Sequence, residues 1–194
     1  MKEDSMKKRN LSQEKIIRCA RELAKEKDIQ LLTFQDLAKE LDIKAPSLYN
    51  HFKNMQEVRS GLTAMLLQEL NETLRRALVG KSQGAALFSY AEIYQTFAYE
   101  NQEVYELLIN VPQMHDERLL EKTYETTDII MQILEGYQLS KEERIHFSRQ
   151  LRSLVHGYLS LRFMGYFTKE ADVEPDSSYQ KMIQQFVADL DIYK

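Results

Sequence analysis

Only six glycines and three prolines interrupt this 194-residue chain. A mostly β fold needs turn residues at short, regular intervals, so this scarcity leaves long helices as the way to fold. Apolar residues recur at helical spacing almost throughout. Ile16, Ile17, Ala20, Leu23 and Ala24 form one stripe, behind Ser12 as a plausible N-cap. Thr33, followed by Asp36, caps a short helix whose apolar face is Phe34, Leu37, Ala38 and Leu41. A third short helix is expected from about Ala45 to Phe52, with Pro46 in its first turn. The capping-box pattern Asn54-Met55-Gln56-Glu57 opens a long helix with Val58, Leu62, Met65, Leu66, Leu70, Leu74 and Leu78 inward. Further helices are expected over residues 84–99, dense in aromatics, over 104–109, and over 116–135. Ser140 to Glu143 forms another capping box, starting a helix expected to reach Phe167. After a polar linker at 169–177, Tyr179, Met182, Ile183, Phe186, Val187 and Leu190 make a near-ideal stripe. The fold class is all-α.

Charge divides the chain. Residues 1–53 hold twelve Lys and Arg against nine Asp and Glu, a net +3 in a chain of net −4. A basic end on an acidic body points to a polyanion partner for the first quarter, although an ordinary solvated surface explains so small an excess about as well. The longest stretch free of charged residues, Ser82 to Ala91, is about half what a membrane-spanning helix needs. The charged start of the chain has no apolar run behind it, unlike a secretory signal. A single cysteine, Cys19, excludes an internal disulfide and a multi-cysteine zinc site. A cytoplasmic setting fits.

The helices over 12–27, 33–41 and 45–52 are joined by short turns, the second and third in the manner of a helix-turn-helix. In that motif the second of the pair enters the major groove. With Leu48 and Phe52 inward, Lys44, Ala45, Ser47, Tyr49, Asn50, His51 and Lys53 are expected to face out. The segment contains no acid, so it approaches phosphates without repulsion.

Residues 11–58 resemble the DNA-binding domain of TetR-family transcriptional regulators. The resemblance rests on Thr33-Phe34-Gln35-Asp36-Leu37-Ala38-Lys39-Glu40-Leu41, then Ala45-Pro46-Ser47-Leu48-Tyr49-Asn50-His51-Phe52-Lys53-Asn54. It implies that Ala45, Pro46, Tyr49 and Asn50 meet base edges, with Lys44 placed to reach one too. Thr33, Ser47, Tyr49, His51 and Lys53 then grip phosphate and sugar, contacts that position the helix without carrying sequence information. Two residues depart from the family pattern. Asp42 stands where a turn glycine is usual; aspartate tolerates left-handed geometry better than most residues. Met55 stands where lysine is usual, which removes a phosphate contact.

Further along, Arg152-Ser153-Leu154-Val155-His156-Gly157-Tyr158, with Gly165-Tyr166-Phe167, is similar to the family's C-terminal domain type named for Trp-His-Gly, here without the tryptophan. The resemblance implies a helix-turn-helix DNA-binding domain at 11–53 and a ligand-binding and dimerisation domain at 54–194; ahead of them, Lys7, Lys8 and Arg9 mark residues 1–10 as a flexible basic arm that reaches the duplex or as an uninvolved tail. It implies a homodimer, with Leu154, Gly157, Leu161, Gly165, Tyr179, Ile183, Phe186 and Leu190 as dimerisation candidates. The two glycines would let helices approach closely. The Tyr179–Leu190 stripe could equally be buried within its own subunit. It also implies a pocket for a small lipophilic effector, with Tyr90, Tyr94, Phe97, Met131, Arg149, Arg152 and His156 as candidates, although aromatic stripes also serve as plain core. The expected partners are a palindromic double-stranded DNA operator, the effector and a second copy of the chain, with no membrane.

No cofactor, metal or catalytic residue is expected. There is no glycine-rich phosphate loop and no GxSxG. Ser153 and His156 have no evident third member for a triad. His51, His115, His146 and His156 are scattered; the last two lie about 80° apart on an ideal helix. The rival reading is a helical adaptor for protein partners, which leaves the acid-free segment at 44–53 unexplained.

Overall fold

A computed structural model describes residues 11–169 and 172–194. The proposed arm at 1–10 lies outside the described residues. Among the described residues all helices and no strands are found, as the periodicity requires. The elements are α1 Gln13–Leu23, α2 Phe34–Glu40, a 3-10 segment Ala45–Asn50, α3 Met55–Leu78 and α4 Gln83–Glu100. They continue with short 3-10 and α turns from Gln102 to Met114 that include α5 Tyr105–Ile109. Then come α6 Glu117–Leu134, α7 Lys141–Phe163 and α8 Pro175–Asp191.

Two compact units result. The first takes residues up to Leu67 together with Glu103–Leu120. It contains the whole helix-turn-helix of residues 11–53. Its core is Ile16, Ala20, Leu37, Leu48, Val58, Leu62 and Leu66, with Leu107 and Val111, all buried. Cys19 is buried here as well; burial first, then the Glu40 carboxylate, pushes its thiol up to about 11, which keeps it out of thiolate chemistry.

The second unit takes Gln68–Gln102 and the chain from Glu121 onward. Leu70, Leu74, Leu87, Ile130, Leu151, Leu159 and Phe186 fill its interior. Some of its buried polar groups are paired across helices. Asn71 Nδ2 donates to the Lys122 carbonyl at 3.0 Å and the Thr126 hydroxyl donates to Asn71 Oδ1 at 2.6 Å, tying α3 to α6. The Tyr179 hydroxyl donates to the Ala91 carbonyl at 2.9 Å, tying α8 to α4. Such pairing removes the desolvation cost of burying these groups.

Several element ends differ from the sequence reading for local reasons. The helix expected to reach Phe167 stops at Phe163. Tyr166 N–H bonds the Leu161 carbonyl and Gly165 N–H the Arg162 carbonyl, both at 3.1 Å. With Gly165 at φ +79° this is a Schellman stop, a position where glycine carries no Cβ penalty. Pro175, read as linker, instead begins α8, where its missing N–H is no loss. At the start of α3, Asn54 Oδ1 accepts from Glu57 N–H at 2.9 Å, as a capping box requires. The return bond goes elsewhere: the Glu57 carboxylate accepts from Lys53 N–H at 2.7 Å rather than from Asn54.

Candidate nucleic-acid interface and effector site

The helix-turn-helix is fixed from both ends. The Ser12 hydroxyl caps α1 by accepting from Lys15 N–H at 3.2 Å. Gln13, in the first turn, donates its side-chain amide to the His51 carbonyl at 2.8 Å, tying α1 to the end of the 3-10 segment. Thr33 and Asp36 form a complete reciprocal capping box at α2. Lys27 Nζ also donates to Asp36 Oδ2, at 2.8 Å. The Lys27 hydrogen bond, then those from Thr33, hold the Asp36 carboxyl down to about 2.

The turn after α2 is a second Schellman stop. Ile43 N–H bonds the Ala38 carbonyl at 2.9 Å and Asp42 N–H the Lys39 carbonyl at 3.2 Å. Asp42 occupies the left-handed position at φ 51°. The aspartate therefore keeps the turn that glycine usually makes.

Residues 45–50 wind as a 3-10 helix rather than the expected α-helix. Ala45 precedes a proline, which disfavours α geometry at that residue. Leu48 and Phe52 point into the core as expected. Lys44, Pro46, Tyr49, Asn50 and Lys53 are exposed, and Ala45 and His51 are half-buried. Tyr49 is 62% exposed. Its ring meets the edge of Phe34 at 4.8 Å, which braces it without burying it. Ser47 corrects the sequence reading. It is buried, 7% exposed, on the 3-10 segment next to Leu48. Thr33 also differs in detail: its hydroxyl proton goes to Asp36 Oδ2 at 2.7 Å, so that donor is already engaged. Lys53 Nζ lies 3.7 Å from the Glu57 carboxylate and stays exposed. Met55 is half-buried at the start of α3.

In the second unit, four of the seven effector candidates come together. Tyr90 and Tyr94 are buried on one face of α4, with ring centroids 5.9 Å apart. His156 of α7 packs edge-on to Tyr94 at 5.2 Å, and its Nε2 lies 3.4 Å from the Tyr94 hydroxyl. Arg152, one turn earlier, donates from Nη1 to the Thr127 hydroxyl at 3.4 Å. Burial first, then the Arg152 charge, lowers His156 to about 4. Phe97 is buried on the same helix as the tyrosines, Met131 is half-buried on α6, and Arg149 is exposed on α7. A recess of about 260 Å³ opens between α4 and α8, lined by Phe88, Ala91, Gln95, Tyr179 and Ile183 among others. None of the seven candidates lines it.

Family models match two stretches of the chain. A family model described as bacterial regulatory proteins of the tetR family matches residues 16–60. One described as a tetracyclin repressor-like C-terminal domain matches residues 87–186. This chain belongs to the TetR family of transcriptional regulators. It is 29% identical over 181 residues to YobS of Bacillus subtilis, an uncharacterized HTH-type transcriptional regulator, covering 93% of each chain. A Rhodococcus sp. RHA1 protein of unknown function shares the fold at TM-score 0.78 and 16% identity, over 92% of this chain and 94% of that one. A tetR-family regulatory protein from Rhodococcus RHA1 shares it at TM-score 0.69 and 13% identity, over 92% and 96%. Among the described residues of this TetR-family protein no helix is long and apolar enough to cross a membrane.

The eight dimerisation candidates of this TetR-family chain separate into two groups. Tyr179, Ile183, Phe186 and Leu190 are buried within the subunit itself. Their stripe is covered by α4 and α7: Tyr179 packs on Tyr158 at 4.9 Å and Phe186 on Phe147 at 6.0 Å. Gly165 serves the α7 stop rather than a close approach. Gly157 and Leu161 are exposed on α7 and Leu154 is half-buried. A Cβ on Gly157 would meet nothing within 4 Å, so its outer side is open.

The sequence reading missed Thr127, Ser148 and Arg144 beside the effector candidates. The available signal was spacing: Arg144, Ser148, Arg152 and His156 stand four apart along α7, which puts them on one side of the helix.

Proposed function

We propose that the protein is a homodimeric repressor that binds a near-palindromic operator and is released by a small lipophilic effector. It is not an enzyme, and it acts where the genome is, in the cytoplasm. One observation carries the DNA-binding part. Lys44, Pro46, Tyr49, Asn50 and Lys53 stand exposed on a segment without a single acid, anchored from beneath by Leu48 and Phe52. In this reading, residues 11–53 read DNA and residues 54–194 bind effector and partner subunit. Asn50 pairs with adenine, Lys44 donates to guanine, and Ala45 and Pro46 make apolar contacts to base edges. Thr33, Ser47, Tyr49, His51 and Lys53 serve the phosphate backbone. Thr33 does so by exchanging its bond to Asp36, and Ser47 only if the segment shifts enough to uncover it.

Twofold symmetry sets the two recognition segments about 34 Å apart, or a multiple of that, along the duplex. The open outer side of α7 around Gly157 and Leu161 is the surface we assign to the partner subunit. An effector at Tyr90, Tyr94, Arg152 and His156 that favours a different separation of the two heads weakens operator binding by its differential affinity for the two states. The experiment is competition binding to duplexes tiled across the DNA flanking the gene, at about 150 mM salt, since affinity without stated salt has no meaning. A competitor-resistant complex on one palindromic segment is the expected result. Uniform weak binding that competitor removes everywhere would overturn the reading.

A further inference from the structure

The inner side of α7 has more hydrogen-bond donors than the subunit can use. Arg152 is half-buried, and its Nε is buried without a hydrogen-bond partner. Its Nη1 reaches only the neutral Thr127 hydroxyl, at 3.4 Å. Among the described residues no carboxylate lies within 4.0 Å of it. One turn earlier Ser148 is 2% exposed, and its hydroxyl too has no partner. Two turns earlier the buried Arg144 Nε is unpaired, while Arg144 Nη1 lies 3.7 Å from Glu135. One turn later comes His156, edge-on to Tyr94. Buried polar groups are ordinarily paired, so three idle ones along one side of one helix need an explanation. A guanidinium without an anion is the costliest of them.

The row has a definite chemical complement. Idle Arg donors with an adjacent hydroxyl match the oxygens of a carboxylate-like head, for which the planar guanidinium is shaped. Tyr90 and Tyr94 are the apolar rings nearest this row; at 2% and 3% exposure they receive an apolar body only when it displaces the side chains that now cover them. We infer that the effector is an amphipathic organic anion, its acidic head held by Arg152 and Ser148 and its apolar body against Tyr90 and Tyr94. This rests on the reading of that cluster as the effector site, and it adds the charge and the polarity of the ligand. Arg152 is the selecting residue: a neutral analogue leaves its charge unpaired and gains nothing from it.

The test uses two fluorescent dyes that differ in one group. Anilinonaphthalene sulfonate carries an anionic head; N-phenylnaphthylamine is the same body without it. The full-length protein should bind the sulfonate at least tenfold more tightly, and decanoate, but not decanol, should displace it. Arg152→Gln should weaken the sulfonate by about tenfold or more and leave the neutral dye within about twofold. Ser148→Ala, a mild change at a buried site, should weaken only the sulfonate, by roughly threefold. Arg152→Lys should restore part of the loss, since it keeps the charge without the fork. Circular dichroism confirms that each variant is folded. Equal weakening of both dyes, or sulfonate binding indifferent to Arg152 and Ser148, would overturn the anion selectivity while leaving a site in place. Binding of neither dye would overturn the site itself, and the inference with it.

Discussion

Asp176, in the first turn of α8, accepts two phenolic hydroxyls on one carboxylate oxygen. Tyr99 of α4 donates to Oδ1 at 2.5 Å and Tyr158 of α7 at 2.8 Å. Burial, then the hydrogen bond to Asp176, raises the pKa of both phenols, so both remain donors at any working pH. The arrangement closes three helices on one oxygen. Tyr158→Phe removes a single bond to a charged acceptor, worth about 1.5–3 kcal/mol. Tyr99 still donates, so the carboxylate is not orphaned and the low end, about 1.5 kcal/mol, is expected. For a chain of this size that is a fall in Tm of roughly 3–6 °C. Tyr99→Phe with Tyr158→Phe leaves the half-buried carboxylate without either hydroxyl. The double variant should therefore cost more than the sum of the singles, by about 1 kcal/mol. Urea denaturation of the singles, the double and Asp176→Ala closes the cycle. In the Asp176→Ala background, Tyr158→Phe should cost clearly less than about 1.5 kcal/mol, because the hydroxyl has lost its charged acceptor and keeps only Tyr99 to bond. A full 1.5 kcal/mol loss there would refute the argument, since it would belong to tyrosine packing and not to the carboxylate.

Other outcomes follow from the same geometry. Met55→Lys adds a cation at the start of α3, so the plot of log affinity against log salt should steepen by about 0.9; an unchanged slope would show that position to be away from phosphate. Asn50→Ala should relax preference at one base of each half-site by about 1–3 kcal/mol while the salt slope stays fixed, measured with a duplex set varied at single positions. His156, held near 4 by burial and by Arg152, stays neutral in the folded state where the unfolded chain takes up a proton. Its contribution to stability is therefore complete above about pH 6.5 and lost progressively as pH falls toward 4. His156→Gln should flatten that part of the stability–pH curve, and a variant with the same slope would assign it to other groups. Leu48→Ala, beneath the recognition segment, should cost about 2–5 kcal/mol and abolish operator binding; a smaller loss would mean the segment is not anchored there.

The helices were legible because their signals are local. Ser12, Thr33 and Ser140 each cap the helix that follows, and each rests on side chains three or four residues away. The helix-turn-helix was legible for a different reason: its run of residues matches a family motif, which carries more information than periodicity does. What the sequence did not disclose depends on geometry between neighbours. Nothing in Ala45-Pro46-Ser47 distinguishes a 3-10 winding from an α-helix by periodicity over six residues, and nothing in it discloses that Ser47 is buried. The idle donors of Arg144, Ser148 and Arg152 on α7 are invisible in the same way, since a sequence records donors but not whether an acceptor faces them.

The stripe of α8 shows the limit most plainly. Tyr179, Ile183, Phe186 and Leu190 are too apolar to face water, and that argument is satisfied equally by a second subunit or by the rest of the same one. The decision belongs to α4 and α7, whose own inward faces must be covered too. Tyr179 reaches the Ala91 carbonyl on one of them and packs on Tyr158 of the other. Once those faces are matched, α8 has no apolar stripe left to offer a partner. In the dimer proposed above, the open side of α7 around Gly157 and Leu161 is then the surface assigned to the partner subunit. On that argument Gly157→Arg, which meets nothing in its own subunit, should leave thermal stability at low concentration unchanged. It should abolish the dimer in sedimentation, whereas Ile183→Ala should destabilise the subunit itself by about 2–5 kcal/mol. The reverse pattern, with a monomeric but stable Ile183→Ala protein, would return the stripe to the interface.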